Sequence, residues 1–343
     1  MKYNFNIMKE AYLYRKLNDM RVRCDLCNHR CIIEDGDKGK CCVRENSKGK
    51  LYTLVYRKLI SENIDPIEKK PLFHFHPGSY SLSIATVGCN FKCFFCQNHQ
   101  ISQSPCESER IDGRDITPAE IVEHAVKYNC SSISYTYTEP TIFFEYAYDI
   151  AKLAGSHDLK NIFISNGFMT RECLDMIGPF LDAANIDLKS FSEKTYKEKI
   201  GGRLKPVLDN IVAMKEKGIW IEVTTLIIPE INNSVQELKS IAEFLADVDK
   251  SIPWHISAYH PQYKSELPAT GFNMIENTIE IGKKAGLKYV YGGNIKDSRY
   301  ENTICAKCGE IILERSGFSI INKYIENGRC GKCGEILDGI LLD

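Results

Sequence analysis

Residues 88–97 read Gly-Cys-Asn-Phe-Lys-Cys-Phe-Phe-Cys-Gln, which sets Cys89, Cys93 and Cys96 in a C-x3-C-x2-C array. Three thiolates this close along the chain can wrap one face of a cubane iron–sulfur cluster. A four-iron cluster ordinarily takes four cysteines. A set of three therefore leaves one iron with an open position, which separates a reactive metal site from a closed structural one. The competing account is a zinc knuckle with His99 as its fourth ligand.

Two further cysteine groups flank this array. Cys305-x2-Cys308 and Cys330-x2-Cys333, each pair followed by glycine (Gly309, Gly334), have the form of the two knuckles of a zinc ribbon. Four thiolates complete a tetrahedral, closed zinc site that staples a short segment. Near the N-terminus stand Cys24, Cys27 and Cys31, with Cys41 as a fourth thiolate and Cys42 and His29 beside it. For that group zinc and a second iron–sulfur cluster both stay open. Cys106, Cys130 and Cys173 lie apart and are read as buried or idle thiols. Fifteen cysteines grouped at such short gaps are a metal pattern in a cytosolic chain rather than a disulfide framework.

The elements that must hold these groups alternate regularly. Strand-like runs at Ser81–Val87, Ser132–Tyr137, Asn161–Ser165, Ala184–Leu188, Ile219–Ile227, His255–Ala258 and Lys288–Tyr291 are separated by amphipathic helices. Two of those helices open on capping boxes, Thr117 to Glu120 and Ser234 to Glu237. The fold expected is α/β, a partial (β/α)6-type barrel over residues 76–299. A Cys-rich metal-binding extension (1–75) precedes it, and the zinc ribbon (300–343) follows. Chemistry in such barrels gathers at the C-terminal strand ends. There the chain places Glu139, a carboxylate for an ammonium group, and Ser165-Asn166-Gly167, where glycine lets backbone approach a ribose. It also places Asp187 and Lys189, an acid and a base on one strand face, and His255, able to reach adenine or ribose. Tyr259, His260 and Tyr263 are candidates to face a substrate, and Gly292-Gly293-Asn294 leaves room for a planar base. His74 and His76 share one face of an extended segment, to line the active-site mouth or simply to pack.

Composition bounds the partners. Of 343 residues 43% are hydrophobic and 26% charged, with net charge −1 and both signs mixed along the chain. That excludes an electrostatic footprint for nucleic acid or an anionic membrane. No run approaches a membrane span, and Met1–Phe5 lack an apolar signal core; a cytoplasmic location is expected.

These strings resemble the radical S-adenosylmethionine (radical SAM) superfamily, near the pyruvate formate-lyase activating enzymes. They are most similar to the radical SAM member of the AmmeMemoRadiSam system. The likeness runs from Cys-Asp-Leu-Cys-Asn-His-Arg-Cys (24–31) through Asp65–Phe75, Gly88–Gln103 and Pro253–Tyr263 to the C-terminal ribbon. It implies a [4Fe-4S] cluster on Cys89, Cys93 and Cys96, with the aromatic Phe95 before the last ligand. The free iron would bind the amino and carboxylate groups of S-adenosyl-L-methionine, and Asp187, Lys189 and His255 would contact that cofactor. The Gly-Gly-Glu motif that holds the methionine amine in many members is absent; Thr138-Glu139-Pro140 stands in its place. The resemblance further implies a low-potential donor such as ferredoxin or flavodoxin, and association with Memo-like and AMMECR-like proteins. The activity it implies is homolysis of the cofactor to a 5′-deoxyadenosyl radical that abstracts hydrogen from a small molecule or a protein residue. A glycyl-radical activase is the near alternative. A non-catalytic, metal-stapled binding module is the distant one, and it would want the basic, aromatic-interleaved face this chain lacks.

Overall fold

The computed structural model describes residues 8–340, so the Met1–Phe5 stretch lies outside the described residues. Eight strands form the main sheet: β1 (Ser61–Pro66), β2 (Tyr80–Ala85), β3 (Ser132–Tyr135), β4 (Lys160–Ser165), β5 (Ala183–Asp187), β6 (Trp220–Ile227), β7 (Trp254–Ala258) and β8 (Val290–Gly293). They lie in the order β8-β7-β6-β5-β4-β3-β2-β1, and the two outer strands do not pair, so the sheet is open. Seven strands from β2 to β8 run parallel, whereas β1 joins β2 antiparallel from Ser61 opposite Ala85 to Pro66 opposite Tyr80.

All seven strand-like runs of the sequence become strands, each shifted by no more than two residues at its start. Strands covered on both faces lose the in-out polarity of an exposed sheet, and β3 and most of β5 and β6 are buried along their length. β1 lies within the region expected as the N-terminal extension, and its backbone pairs with the otherwise open edge of β2.

Helices α1 (Pro118–Lys127), α2 (Phe144–Gly155), α3 (Arg171–Ile177), α4 (Leu204–Glu216), α5 (Val235–Val248) and α6 (Phe272–Lys284) connect the parallel strands. The capping box of α1 is complete: Glu120 N donates to Thr117 Oγ1 at 3.2 Å and Thr117 N to Glu120 Oε2 at 2.7 Å. The box of α5 is half-formed. Ser234 Oγ accepts from Glu237 N, but the Glu237 carboxylate turns away to accept from Ser190 Oγ and Phe191 N. A loop after β5 has captured the side chain that local pattern assigned to the cap.

The two flanking regions pack on opposite ends of the sheet. Residues 24–46 lie against the segment after β4: Cys27 bridges Met169, and Thr170 Oγ1 donates to Asp25 O at 2.7 Å. Buried Arg44 forks onto Glu145 of α2, with both N···O distances 3.0 Å. Cys42 and Cys106 are joined in a disulfide, so Cys106 is not the idle thiol expected from its isolation in sequence; it meets its partner only through the fold. Cys130 and Cys173 are buried free thiols. At the other end, the strand starts, Ile340 pairs with Phe75 and Arg315 Nη2 donates to Phe73 O at 2.8 Å. His74 is buried there and His76 points elsewhere on the same segment, so neither histidine lines the strand-end cavity.

Candidate active site

The loop after β2 carries the first cysteine array. Gly88 enters it at φ +105°, and a Cβ there would stand 2.7 Å from Val43 Cγ1. Only glycine meets both conditions without strain. The loop then closes on itself, with Gly88 N bonded to Ile101 O and Cys96 N to Cys93 O. Phe91, fully buried, anchors the turn, and its backbone N donates toward Cys89 Sγ at 3.4 Å.

Cys89, Cys93 and Cys96 all reach one cavity of about 260 Å³ at the C-terminal strand ends. Glu139, Asn166, Asp187 and Lys189 reach the same space from the ends of β3, β4 and β5. Phe95 lines it too, against the cysteine loop. Alternation along β6 and β7 adds Thr224, Leu226 and Ser257, which the motif reading had not named. The available signal was the inward parity of Thr224 and Leu226, two residues apart on one strand.

The charges of this cavity are arranged by burial. Lys189 Nζ meets Asp187 Oδ2 at 2.9 Å. Burial alone would lower the ammonium pKa, but the charge of Asp187 and the nearby Cys93 more than offset it, so Lys189 stays cationic. Burial pushes the Cys93 thiol up to about 12 against the pull of Lys189, and pushes Cys89 well above its ordinary value, with Glu139 adding to the effect. Three thiols facing one space, Cys93 buried and Cys89 and Cys96 half-buried, with Lys189 beside them, suit a metal cluster that binds thiolates and supplies its own positive charge.

Glu139 is placed differently from the expectation of a free carboxylate. Its two oxygens accept from Thr141 N (3.0 Å), Thr141 Oγ1 (2.6 Å), Ser165 Oγ (2.8 Å) and Asn166 N (2.8 Å). Three of these donors crowd Oε1, and Oε2 takes only Asn166 N and keeps an acceptor position open. Burial nonetheless raises its pKa, since the donors offset only part of the desolvation. Ser165 thus faces Glu139 behind the cavity wall. Asn166 reaches forward, its Nδ2 donating to Asn90 Oδ1 at 2.7 Å beside Cys89. Gly167 answers to packing and not to a ribose: at φ +68° its missing Cβ would lie 2.9 Å from Ile186.

The structure does not bring His255 to the cavity. Ser257 occupies the cavity wall, and His255 lies two residues earlier on the same face of β7, about 7 Å deeper. It is buried, with Nε2 2.6 Å from Glu222 Oε2 and its ring stacked on Tyr291. Glu222 also accepts from the backbone amides of Phe73 and His74. Burial would raise its pKa, but His255 and these partners more than compensate and hold it low. Tyr259 is also turned inward, its hydroxyl on Ser265 Oγ at 2.7 Å. Tyr263 stacks on His99, and Asn294 Nδ2 donates to Ser257 Oγ, which ties the glycine-rich loop to the cavity rim.

The C-terminal cysteines converge at a separate place. Among the described residues, Cys305, Cys308, Cys330 and Cys333 are the one group of potential metal ligands whose donor atoms all lie within 4.8 Å of one another.

A parallel sheet with a three-cysteine loop after its first parallel strand defines a class, and comparison with known proteins agrees. The family model for the radical SAM superfamily matches residues 83–245. The chain belongs to the radical SAM superfamily and is an enzyme. An uncharacterized protein of Methanocaldococcus jannaschii is 44% identical over 319 residues, covering 92% of this chain and 94% of that one. A second protein of that organism, named "Putative glycyl-radical enzyme activating enzyme", is 28% identical over 62% of this chain and 79% of its own length. Among solved structures, Streptococcus suis SuiB bound to S-adenosylmethionine overlaps 66% of this chain and 53% of its own at TM-score 0.49 and 14% identity. No helix among the described residues is long and apolar enough to cross a membrane.

Proposed function

We propose that this enzyme holds a [4Fe-4S] cluster on Cys89, Cys93 and Cys96 and binds S-adenosylmethionine in the adjoining cavity. The observation that carries the reading is the convergence of those three thiols with Asp187 and Lys189 on one space at the strand ends. The group supplies, when bound, the one-electron cleavage that frees a 5′-deoxyadenosyl radical for hydrogen abstraction. The chain's own residues supply position. The Lys189 ammonium suits the cofactor carboxylate, and the partly exposed Asp187 suits a ribose hydroxyl. Glu139 acts as a positioning residue: its carboxylate fixes Ser165 and Asn166, and Asn166 in turn orders the Cys89 loop through Asn90. A ferredoxin or flavodoxin is the class of electron donor this chemistry requires.

The C-terminal set suits structural zinc. Cys305 to Cys333 and Cys308 to Cys330 stand 3.7 Å apart between sulfurs. A tetrahedron with Zn–S bonds of about 2.3 Å has edges of about 3.8 Å.

The test is 5′-deoxyadenosine formation under anaerobic reduction with S-adenosylmethionine. Cys93→Ala should abolish it and leave the zinc content unchanged. Product formation by a folded Cys93→Ala chain would refute the cluster assignment. Adding size-fractionated cell extract then separates substrates. Stimulation by small molecules indicates a metabolite; stimulation only by protein indicates the activase reading, which the similarity to the activating-enzyme relative favours.

A further inference from the structure

The cysteine loop has a second face, turned away from the cavity. Phe91, Cys93 and Phe95 line the cavity, whereas Lys92 between them is exposed and does not. Lys92 N donates to Ile200 O at 2.8 Å, which joins the loop to a π-helical turn, Tyr196–Ile200. Gly202 follows that turn. A Cβ there would stand 2.4 Å from a ring carbon of buried Phe91, so the missing side chain lets the two segments close. A third segment comes from the N-terminal region. His29 Nε2 lies 2.7 Å from Asn90 O, and Arg203 Nη2 donates to Asn28 O at 2.6 Å.

Together the three segments gather cations. Lys40, Lys92, Lys199 and Arg203 are all exposed, and among the described residues none of them is paired with a carboxylate. Burial lowers the His29 pKa, and the charges of Lys40, Arg203 and Lys92 add to the effect, which sets all three around that ring. Lys199 Nζ lies 5.8 Å from the ring centre of Phe94. Of the acids in residues 193–203, Glu193 is engaged by Lys197 and Leu204 N, leaving Glu198 alone against these cations. Phe94 is half-buried at this surface, and its ring meets Phe95 edge-on at 5.2 Å. Phe95 lines the cavity, so one thickness of the loop separates the cationic face from the three cysteines.

We propose that Lys40, Lys92, Lys199 and Arg203, set around Phe94, form the docking face for an acidic one-electron carrier protein of the ferredoxin or flavodoxin class. The proposal rests on the cluster reading above and adds where its electron enters. The carrier arrives reduced, gives up one electron across the loop and leaves oxidised. Net charge over the whole chain is −1, so the cations here are a local segregation that only the fold produces. Charges around an aromatic centre steer an oppositely charged partner into one orientation. A nucleic acid would want a longer basic track with several stacking rings.

The test compares the full-length wild type with a triple variant, Lys40→Glu, Lys92→Glu and Lys199→Glu, all at exposed positions outside the cavity. Calorimetry with an oxidised flavodoxin and, separately, an oxidised ferredoxin reads affinity without turnover. The variant should bind its carrier about tenfold more weakly or worse. Only the wild type should lose affinity as salt rises from about 0.02 to about 0.3 M. Formation of 5′-deoxyadenosine driven by the reduced carrier should fall about tenfold in the variant, while formation driven by dithionite stays within about twofold. Should the triple variant fail to fold, Gln at the same three positions replaces Glu, with a loss of affinity of about threefold or more expected. Equal affinities and salt responses of wild type and variant would overturn the proposal, as would no affinity of the wild type for either carrier. So would binding of a single-stranded oligonucleotide that the variant loses while its carrier affinity stays. A wild type that binds a carrier through these lysines yet makes no product with dithionite would sink the cluster reading alone and leave the docking face standing.

Discussion

His74 should make the fold acid-sensitive in a window set by its surroundings. It lies in a buried hydrogen-bond chain. Arg315 Nη1, which can only donate, bonds Thr303 Oγ1 at 2.7 Å, and Thr303 meets the Tyr291 hydroxyl at 2.9 Å. Tyr291 is 2.6 Å from His74 Nε2, and His74 Nδ1 is 2.7 Å from Asp338 O, which can only accept. Asp338 O can only accept, so His74 Nδ1 carries a proton, and a neutral His74 accepts from the Tyr291 hydroxyl at Nε2. A second proton on Nε2 would force the Tyr291 hydroxyl to turn and donate to Thr303 Oγ1 instead. Burial is the main cause that lowers the His74 pKa from 6.5 to about 4; the charge of Glu222 opposes it, and Arg315 adds to it. The folded value lies below the unfolded one, so the unfolded chain binds the extra proton first. Stability is then full above about pH 6.5 and falls progressively toward pH 4. Going from pH 7 to 4.5, this one group should remove roughly 2.5 kcal/mol, from 1.36 kcal/mol per pKa unit. The assay is anaerobic urea unfolding of the wild type and His74→Gln, whose amide can still donate to Asp338 and accept from Tyr291. Acid effects at the metal sites cancel between the two, and the wild type should lose roughly 2–3 kcal/mol more than the variant over this range. Parallel pH profiles would refute the buried neutral histidine, as would an imidazole resonance of His74 titrating near its ordinary value.

Three further outcomes follow from the same geometry. Gly88→Ala puts a Cβ 2.7 Å from Val43 at a positive φ, so it should cost about 2–4 kcal/mol in urea unfolding, combining backbone strain with overpacking; a loss below about 1 kcal/mol would mean the loop relaxes freely. His255→Leu should lower stability by about 1–3 kcal/mol because Glu222 loses a partner. It should also leave the Kd for S-adenosylmethionine within about threefold, whereas Lys189→Met should raise that Kd by about tenfold or more; the reverse order, read by equilibrium dialysis, would return His255 to the cofactor. Glu139→Gln can keep its oxygen on the three donors at Oε1 but sets an amide N–H against Asn166 N, so the melting temperature should drop by about 3 °C for a loss of about 2 kcal/mol in a chain of this size. An unchanged melting temperature would show that Glu139 is not the anchor of the Ser165–Asn166 turn.

Short-range features were legible in the chain itself. The C-x3-C-x2-C array sets ligand number and proximity, since three residues a few positions apart cannot avoid sharing a loop. The seven apolar runs became strands because a buried strand needs only local hydrophobicity and β-propensity to declare itself. Thr117 and Glu120 close their cap within one helical turn. Asp187 and Lys189 face one cavity, an acid at the end of β5 and a base two residues beyond it, as their spacing suggested.

Depth, partners and spacing in three dimensions came from elsewhere. Alternation assigns His255 to the inner face but carries no depth along the strand, and the packing of Phe73, Glu222 and Tyr291 claims its ring at the closed end. Glu237 leaves its cap for a loop that no local pattern could bring near. Cys42 meets Cys106, 64 residues away. The CxxC-like spacing of Cys24 and Cys27 resembles that of Cys305 and Cys308, yet one set surrounds a void and the other draws to 3.7 Å contacts. Sequence spacing counts the ligands a chain can offer; the separation of their sulfurs is decided by how the surrounding backbone packs.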